Sequence, residues 1–396
     1  MTTASLLPER RLVRLTWADR STDDFPYLWL RDNCPTAYHP ETEERTLDLL
    51  EVPADAAPDA VAVEDGGLRV AWGPAKDSEG EGHSRGHESR FSLDWLAAHR
   101  PGRPLADPAA VPRQAWRGNA GAEALPRADA DAVLRDDAAL ETWLRATKET
   151  GLSLVEGLSD APEAGMEVAR RIGFLRKTNF GETFSVESKP QPNNLAYTAV
   201  ALPLHTDLPN QELPPGFQFL HCQVNTATGG GSVFADGLAL AEDLRDADPE
   251  AFELLSRVAI PFRFHDADYD IRQHRPVIQL DGSGAVTEIR WNAHIAGVFD
   301  MPAEEIEPYY RAYRRFMAMT RDPAYRVELT LRAGQMAVFD NRRVLHGRAA
   351  FDPGSGQRRL HGCYVDRGEF DSRLRILDRI GSGRARTAPG GSVNPV

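Results

Sequence analysis

The chain has 396 residues, 41% of them apolar and 27% charged, which suits two domains with sizeable cores. Its 46 basic and 59 acidic side chains leave a formal charge of −13, arguing against nucleic-acid or anionic-membrane partners, which need a basic face. No apolar run approaches the roughly 20 residues of a membrane span, Met1 to Arg14 lacks a signal-peptide core, and three cysteines (Cys34, Cys222 and Cys363) cannot frame a disulfide scaffold, so a reducing cytoplasm is expected.

In chain order, residues 11–100 read as β-rich. Arg11 to Trp17 alternates apolar and polar residues, Phe25 to Leu30 predicts a second strand, and Thr46 to Val52 a third. Val61 to Trp72 folds at Asp65-Gly66-Gly67 as a hairpin. Phe91, Trp95 and Leu96 predict a short helix, and 79–89 a loop. Residues 106–127, rich in Pro, Gly and Ala, read as a linker between a β-rich domain over 1–105 and a second domain over 128–385. Helices are predicted over Ala128 to Lys148, ended by Gly151, and over Pro162 to Ile172, with a strand at Leu152 to Val155 between them. Beyond 196, short strands separated by Gly, Pro and Asp predict a sandwich or jelly roll. Two helices interrupt them, one starting at Asp248-Pro249 and one over Pro308 to Thr320. The tail 386–396 reads as disordered.

The chemistry is concentrated at Leu204-His205-Thr206-Asp207. In a strand, His205 and Asp207 share one face. Alone, His-x-Asp is common and equally describes a surface pair or a hydrogen-bonded core histidine. A second histidine, His346 in Phe339-Asp340-Asn341-Arg342-Arg343-Val344-Leu345-His346-Gly347, raises its significance. Two histidines and one carboxylate on one face form the facial triad of non-haem Fe(II) oxygenases. Three coordination positions stay open for a co-substrate and O2, and Arg358 offers a planar, two-pronged donor for the far carboxylate of a keto acid.

Further motifs carry a resemblance along nearly the whole length. They are Trp29-Leu30-Arg31-Asp32-Asn33-Cys34-Pro35, Asn193-Asn194-Leu195-Ala196-Tyr197-Thr198, Pro214-Pro215-Gly216, Leu220-His221-Cys222, Thr228-Gly229-Gly230-Gly231-Ser232, His346-Gly347-Arg348 and Gly362-Cys363-Tyr364. On these residues the chain resembles the γ-butyrobetaine hydroxylase family of Fe(II)/2-oxoglutarate dioxygenases, within the taurine-dioxygenase-like group. The resemblance implies a mainly β protein with helices: a double-stranded β-helix (jelly roll) catalytic domain preceded by a small β-rich domain. It implies iron on His205, Asp207 and His346, with 2-oxoglutarate anchored by Arg358 and assisted by Ser232; Arg359 is the rival anchor. The implied reaction consumes O2 and 2-oxoglutarate, yields succinate and CO2, and hydroxylates a C–H bond, with ascorbate as reductant. A homodimer is also implied.

The family's aromatic cage for a quaternary ammonium falls on Phe180, Phe184, Tyr197 and Tyr364, four aromatics in a chain that is 8% aromatic. Phe180 and Phe184 also have the spacing of two core residues. Asn194 and Asn292 fall where the substrate acid is met, a family tyrosine is replaced by Leu208, and Arg290 or His294 could meet another acid. The expected substrate is a small trimethylammonium acid such as γ-butyrobetaine; alternatives are a trimethylammonio-phosphonate, trimethyllysine or another amino-acid-like molecule. A non-catalytic ligand sensor is the reading from a different class, and the intact triad argues against it. The family's structural zinc cluster is reduced here to Cys34, His39 and His87, with Thr36 at a cysteine position, one short of four ligands.

Overall fold

The computed structural model describes residues 1–73, 86–187 and 198–382. The chain divides into two compact units, Met1–Asp107 together with Arg379–Val396, and Pro108–Asp378.

The first unit carries two three-stranded antiparallel sheets. One is β1 (Thr3–Leu7), β2 (Leu12–Thr16) and β3 (Thr22–Pro26), followed by helix α1 (Tyr27–Asp32). The other is β4 (Pro58–Glu64), β5 (Gly67–Trp72) and β6 (His87–Ser92), followed by α2 (Leu93–Ala98). Val13, Leu15 and Phe25 from the first sheet share one core with Leu68, Val70 and Phe91 from the second. The hairpin turns where expected, with Asp65 and Gly66 at φ 49° and 73°, the pair of left-handed residues a two-residue turn needs. Two expectations differ. Phe25 to Leu30 is strand only to Pro26 and then helix, because Tyr27 and Leu30, three apart, bury one face of α1. Thr46 to Val52 is no strand: the Asp48 carboxylate accepts from Leu50 N–H and closes a 3-10 turn over Leu49–Glu51, leaving Leu49 and Leu50 exposed.

The second unit begins with a segment read as a linker, yet it is fastened down. Ala109 and Leu125 are buried, Trp116 N–H donates to Asp236, and Arg117 pairs with Asp243. Then come β7 (Arg127–Asp129), α3 (Ala130–Arg135), α4 (Asp137–Thr150), β8 (Leu152–Glu156), α5 (Pro162–Ile172) and β9 (Thr183–Val186). The single helix expected over 128–148 is split at Asp136, whose carboxylate caps α4 by accepting from Ala138 N–H. Gly151 ends α4 at φ 75°, where a Cβ would meet the Arg343 side chain at 2.9 Å. The central strands are β10 (Leu202–His205), β11 (Phe217–Asn225), β12 (Thr228–Gly229) and β13 (Ser232–Asp236). Next are α6 (Gly237–Ala247), α7 (Pro249–Arg257), β14 (Ile260–His265), β15 (Asp270–Arg275), β16 (Ile278–Leu280), β17 (Val286–Ile289) and α8 (Ala303–Arg321). The chain closes with β18 (Arg326–Leu329), β19 (Met336–Asp340), β20 (Val344–Arg348), β21 (Phe351–Asp352), β22 (Arg358–Val365) and α9 (Arg367–Gly381).

Helix α6 carries no clear helical pattern in the sequence because half of its buried residues are small, with Gly237, Ala239 and Ala241 among the leucines. Helix α8 starts five residues before Pro308; the proline forfeits one helical hydrogen bond, while Glu304 and Glu305 favour the helix N-terminus. No helix of the described residues is long and apolar enough to cross a membrane.

Two sheets dominate this unit, a six-stranded one ordered β7-β8-β19-β11-β22-β9 and a four-stranded one ordered β10-β20-β13-β18. Alternation along β11 sends Phe217 and Phe219 toward α5 and α9, where Phe217 stacks on Phe370, and sends Leu220 and Cys222 to the opposite face. That face packs against Phe234, Val327 and Val344 of the four-stranded sheet. Fully burying each such phenylalanine contributes about 1.5–3 kcal/mol. Helices α6, α7 and α8 cover the outside of the four-stranded sheet. The space between the sheets is therefore filled by apolar side chains at one end, and at the other it opens into the site.

Candidate active site

Register brings the histidines together. His205 at the end of β10 is the direct antiparallel partner of His346 on β20, so both rings face inward with centroids 4.3 Å apart. His205 Nδ1 contacts the Pro203 carbonyl at 2.9 Å, which leaves Nε2 free to face the site. Asp207 lies just past the strand, and its Oδ1 is 3.3 Å from His205 Nε2 and 3.7 Å from His346 Nε2. Its other oxygen accepts from the Tyr364 hydroxyl at 2.7 Å.

Burial by itself would raise the Asp207 carboxyl, but His346, His205 and the Tyr364 hydroxyl together hold it well below the usual carboxylate range. Burial, reinforced by His205, pushes the His346 imidazole down to about 3 against the pull of Asp207. Both groups therefore keep the forms that bind a cation: an ionised carboxylate and a neutral imidazole. Ligand atoms of His205, Asp207 and His346 lie within 4.8 Å of one another, the one such cluster among the described residues. Two imidazole nitrogens and one carboxylate oxygen fit Fe(II) with open positions.

The triad lines a cavity of about 290 Å³. At one end stand Ser232, Arg348 and Arg358, all buried. Arg358 donates from Nε to the Gly230 carbonyl at 3.1 Å, and burial lowers its guanidinium to about 10. Arg359, one residue on in β22, is exposed and does not line the cavity. At the other end stand Phe180, Phe184, Phe264 and Tyr364. Phe180 meets Phe264 edge-on at 5.3 Å, and Phe184 packs against Tyr364 at 5.1 Å. The Phe184 ring lies over Gly362, where a Cβ would approach it to 2.5 Å. Asn292 also lines the cavity, but its amide is partly engaged, donating to the Thr206 carbonyl at 3.4 Å and accepting from His294 N–H at 3.1 Å. Asn194 and Tyr197 lie outside the described residues.

Two sequence expectations need correction. Arg290 does not face the cavity as an acid binder: it is buried against Glu288 and donates to the carbonyls of Pro209, Gln211 and Glu212. The three residues expected for zinc do not converge. Cys34 Sγ is 3.3 Å from His87 Nε2 and 3.1 Å from Thr36 Oγ1, whereas His39 turns its Nδ1 onto the N–H groups of Glu41 and Thr42. Among the described residues that leaves two ligands where structural zinc takes four.

Sequence reasoning missed three contributors. Arg348 sits two residues after His346 on the same strand face, a spacing that could have flagged it. Asn341 grips Asp207: its Oδ1 accepts from Asp207 N–H at 2.6 Å and its Nδ2 donates to the Asp207 carbonyl at 3.0 Å. Phe264 comes from the β14-β15 ribbon, and nothing local marks it as a site residue.

Comparison with known proteins agrees with this geometry. Residues 111–364 match the family described as Taurine catabolism dioxygenase TauD, TfdA family, and residues 5–97 match Gamma-butyrobetaine hydroxylase-like, N-terminal. The chain is 45% identical over 371 residues to the gamma-butyrobetaine dioxygenase of Pseudomonas sp. (strain AK-1), covering 93% of this chain and 94% of that one. It is 32% identical over 390 residues to the gamma-butyrobetaine dioxygenase of Homo sapiens, covering 94% and 96%. It is 30% identical over 362 residues to the mitochondrial trimethyllysine dioxygenase of Gallus gallus, covering 89% and 83%. With a His-Asp-His iron site at the centre of a matching catalytic region, the chain belongs to the TauD, TfdA family of Fe(II)/2-oxoglutarate-dependent dioxygenases, in its γ-butyrobetaine hydroxylase group.

Proposed function

We propose that this enzyme hydroxylates γ-butyrobetaine, a small acid with a trimethylammonium head. The carrying observation is one cavity with the triad in the middle, buried arginines at one end and aromatic rings at the other, together with the 45% identity to a gamma-butyrobetaine dioxygenase. We further read the two facing sheets as the halves of a jelly roll, and the first unit as a separate β domain.

When bound, iron and 2-oxoglutarate supply the oxidation: 2-oxoglutarate, O2 and R–H become succinate, CO2 and R–OH. The protein's part is to hold and orient. His205, Asp207 and His346 hold the metal, and Tyr364 fixes which Asp207 oxygen is presented. Arg358 meets the distal carboxylate of 2-oxoglutarate, with Ser232 beside it. Phe180, Phe184 and Tyr364 line the end that would take the cationic head, which can form no hydrogen bond of its own and is met by aromatic surface. Leu202 and Leu208 line the same cavity and exclude water from the reacting C–H bond.

The test is succinate release from 2-oxoglutarate with γ-butyrobetaine, trimethyllysine and a trimethylammonio-phosphonate supplied in turn, with the product weighed for one added oxygen. Greatest turnover with γ-butyrobetaine supports the reading; no stimulation by any quaternary ammonium acid overturns it.

A further inference from the structure

Asp207 sits on a loop, not on a strand, so the sheet ladder alone does not aim its carboxylate. Strand β10 ends at His205, and the residue after Asp207, Leu208, has φ 55°, a left-handed conformation disfavoured for a side chain of this size. One buried guanidinium holds the rest of the loop. Arg290 donates to the carbonyls of Pro209 at 3.2 Å, Gln211 at 2.9 Å and Glu212 at 3.0 Å.

Arg290 is itself anchored through its Nε on Glu288, a carboxylate only 2% exposed. The second oxygen of Glu288 accepts from Arg342 Nε at 2.6 Å. Arg342 directly follows Asn341, whose amide brackets the Asp207 backbone on both sides. The backbone repeats the link, since Ile289 N–H donates to the Arg342 carbonyl at 2.9 Å and Thr206 N–H to the Trp291 carbonyl at 2.6 Å. A single buried carboxylate thus reaches both flanks of the iron ligand, the loop after it through Arg290 and the turn that grips it through Arg342.

We propose that Glu288 is a positioning residue for the iron site, fixing through Arg290 and Arg342 the direction of the Asp207 carboxylate and the placement of Leu208 as a cavity wall. This rests on the triad holding iron. Glu288→Gln keeps the shape but turns an amide N–H toward one of two guanidinium groups, buried Arg290 or half-buried Arg342, so one charge-assisted bond is lost and the loop is released.

The experiment titrates Mn(II) into metal-free protein, then measures 2-oxoglutarate consumed per hydroxylated product in the iron-loaded enzyme, with melting temperature followed in parallel. Glu288→Gln is expected to weaken Mn(II) binding by about 3-fold or more, less than the loss of a group bonded directly to a metal ligand because Glu288 acts through two arginines, and to raise the consumption ratio above that of the wild type. Glu288→Asp, which keeps the charge, is expected to recover part of both. Arg342→Met, at the more accessible end of the network, should shift both measures in the same direction by less, and it carries the test if Glu288→Gln does not fold. Variants that melt earlier yet bind Mn(II) as the wild type does and stay fully coupled overturn the proposal, leaving a purely structural ion pair. Wild-type protein that binds no Mn(II) overturns the iron reading itself, a separate result.

Discussion

The two ends of the cavity are built on different principles. Around the metal site, His205 and His346 are register partners in a four-stranded sheet, and Arg358 lies on β22, which pairs with β11 and β9. Moving any one of them means breaking a ladder. At the aromatic end, Phe264 comes from a two-stranded ribbon and Phe180 from a tight turn closed by the Thr178–Gly181 bridge, the kind of element that is marginal without support. The first arrangement fixes the reaction; the second can change its shape without disturbing the core. The two histidines and Arg358 are thus set by the sheets, whereas Phe180 and Phe264 hang on their rim.

That contrast can be broken by substitution. The largest effect belongs to the triad: His205→Ala or His346→Ala should lower 2-oxoglutarate turnover by at least about 10³-fold, because a site with two ligands no longer holds the metal. Circular dichroism should show the fold retained. Next comes the proposed co-substrate anchor. Arg358→Met should raise the KM for 2-oxoglutarate by about 10–100-fold, the worth of a charge-assisted contact, whereas Arg359→Met, which faces away, should change it by less than about 2-fold. Equal effects from the two would mean the anchor has been misassigned.

Smaller effects are expected at the rim. Phe180→Leu or Phe184→Leu should raise the KM for the quaternary ammonium substrate by about 3–10-fold and leave the 2-oxoglutarate KM unchanged, in line with the loss of one cation–π contact. Phe184→Trp should move it the other way if the site admits the larger ring. A rise in both KM values would erase the distinction between the two ends.

Acid should act on the metal end through stability. Burial holds the His346 imidazole at about 3, below its ordinary 6.5. The unfolded chain therefore binds more protons than the folded one between these values, so stability is full above pH 6.5 and is lost as the pH falls toward 3. Asp207, held below its ordinary value, adds loss in the same direction at lower pH. Metal-free protein should melt a few degrees lower at pH 5 than at pH 7.5, and metal, which competes with the proton, should reduce that difference.

The sequence revealed the two ends unequally for the same physical reason. His205, Asp207 and His346 are readable because ligand chemistry restricts a metal site to a few residue types at strand spacing. The helix over Pro162–Ile172 and the start of α7 at Pro249 are readable from caps and periodicity. Phe264 carries no such mark, since an apolar residue in a ribbon looks the same whether it meets a core or a ligand. Arg290 misled for the opposite reason: a guanidinium beside a substrate loop suggests an acid binder, and only the buried Glu288 and three loop carbonyls reveal a strut. In the first unit, Cys34 and His87 still meet while His39 is spent on its own turn, a difference in side-chain direction that spacing could not expose.

The most direct test of the central claim is the stoichiometry of one reaction. Iron-loaded enzyme given 2-oxoglutarate, O2 and γ-butyrobetaine should form succinate and hydroxylated product in a one-to-one ratio, at a rate well above that without γ-butyrobetaine. Succinate formed at the same rate with and without it, and no hydroxylated product, would contradict the account.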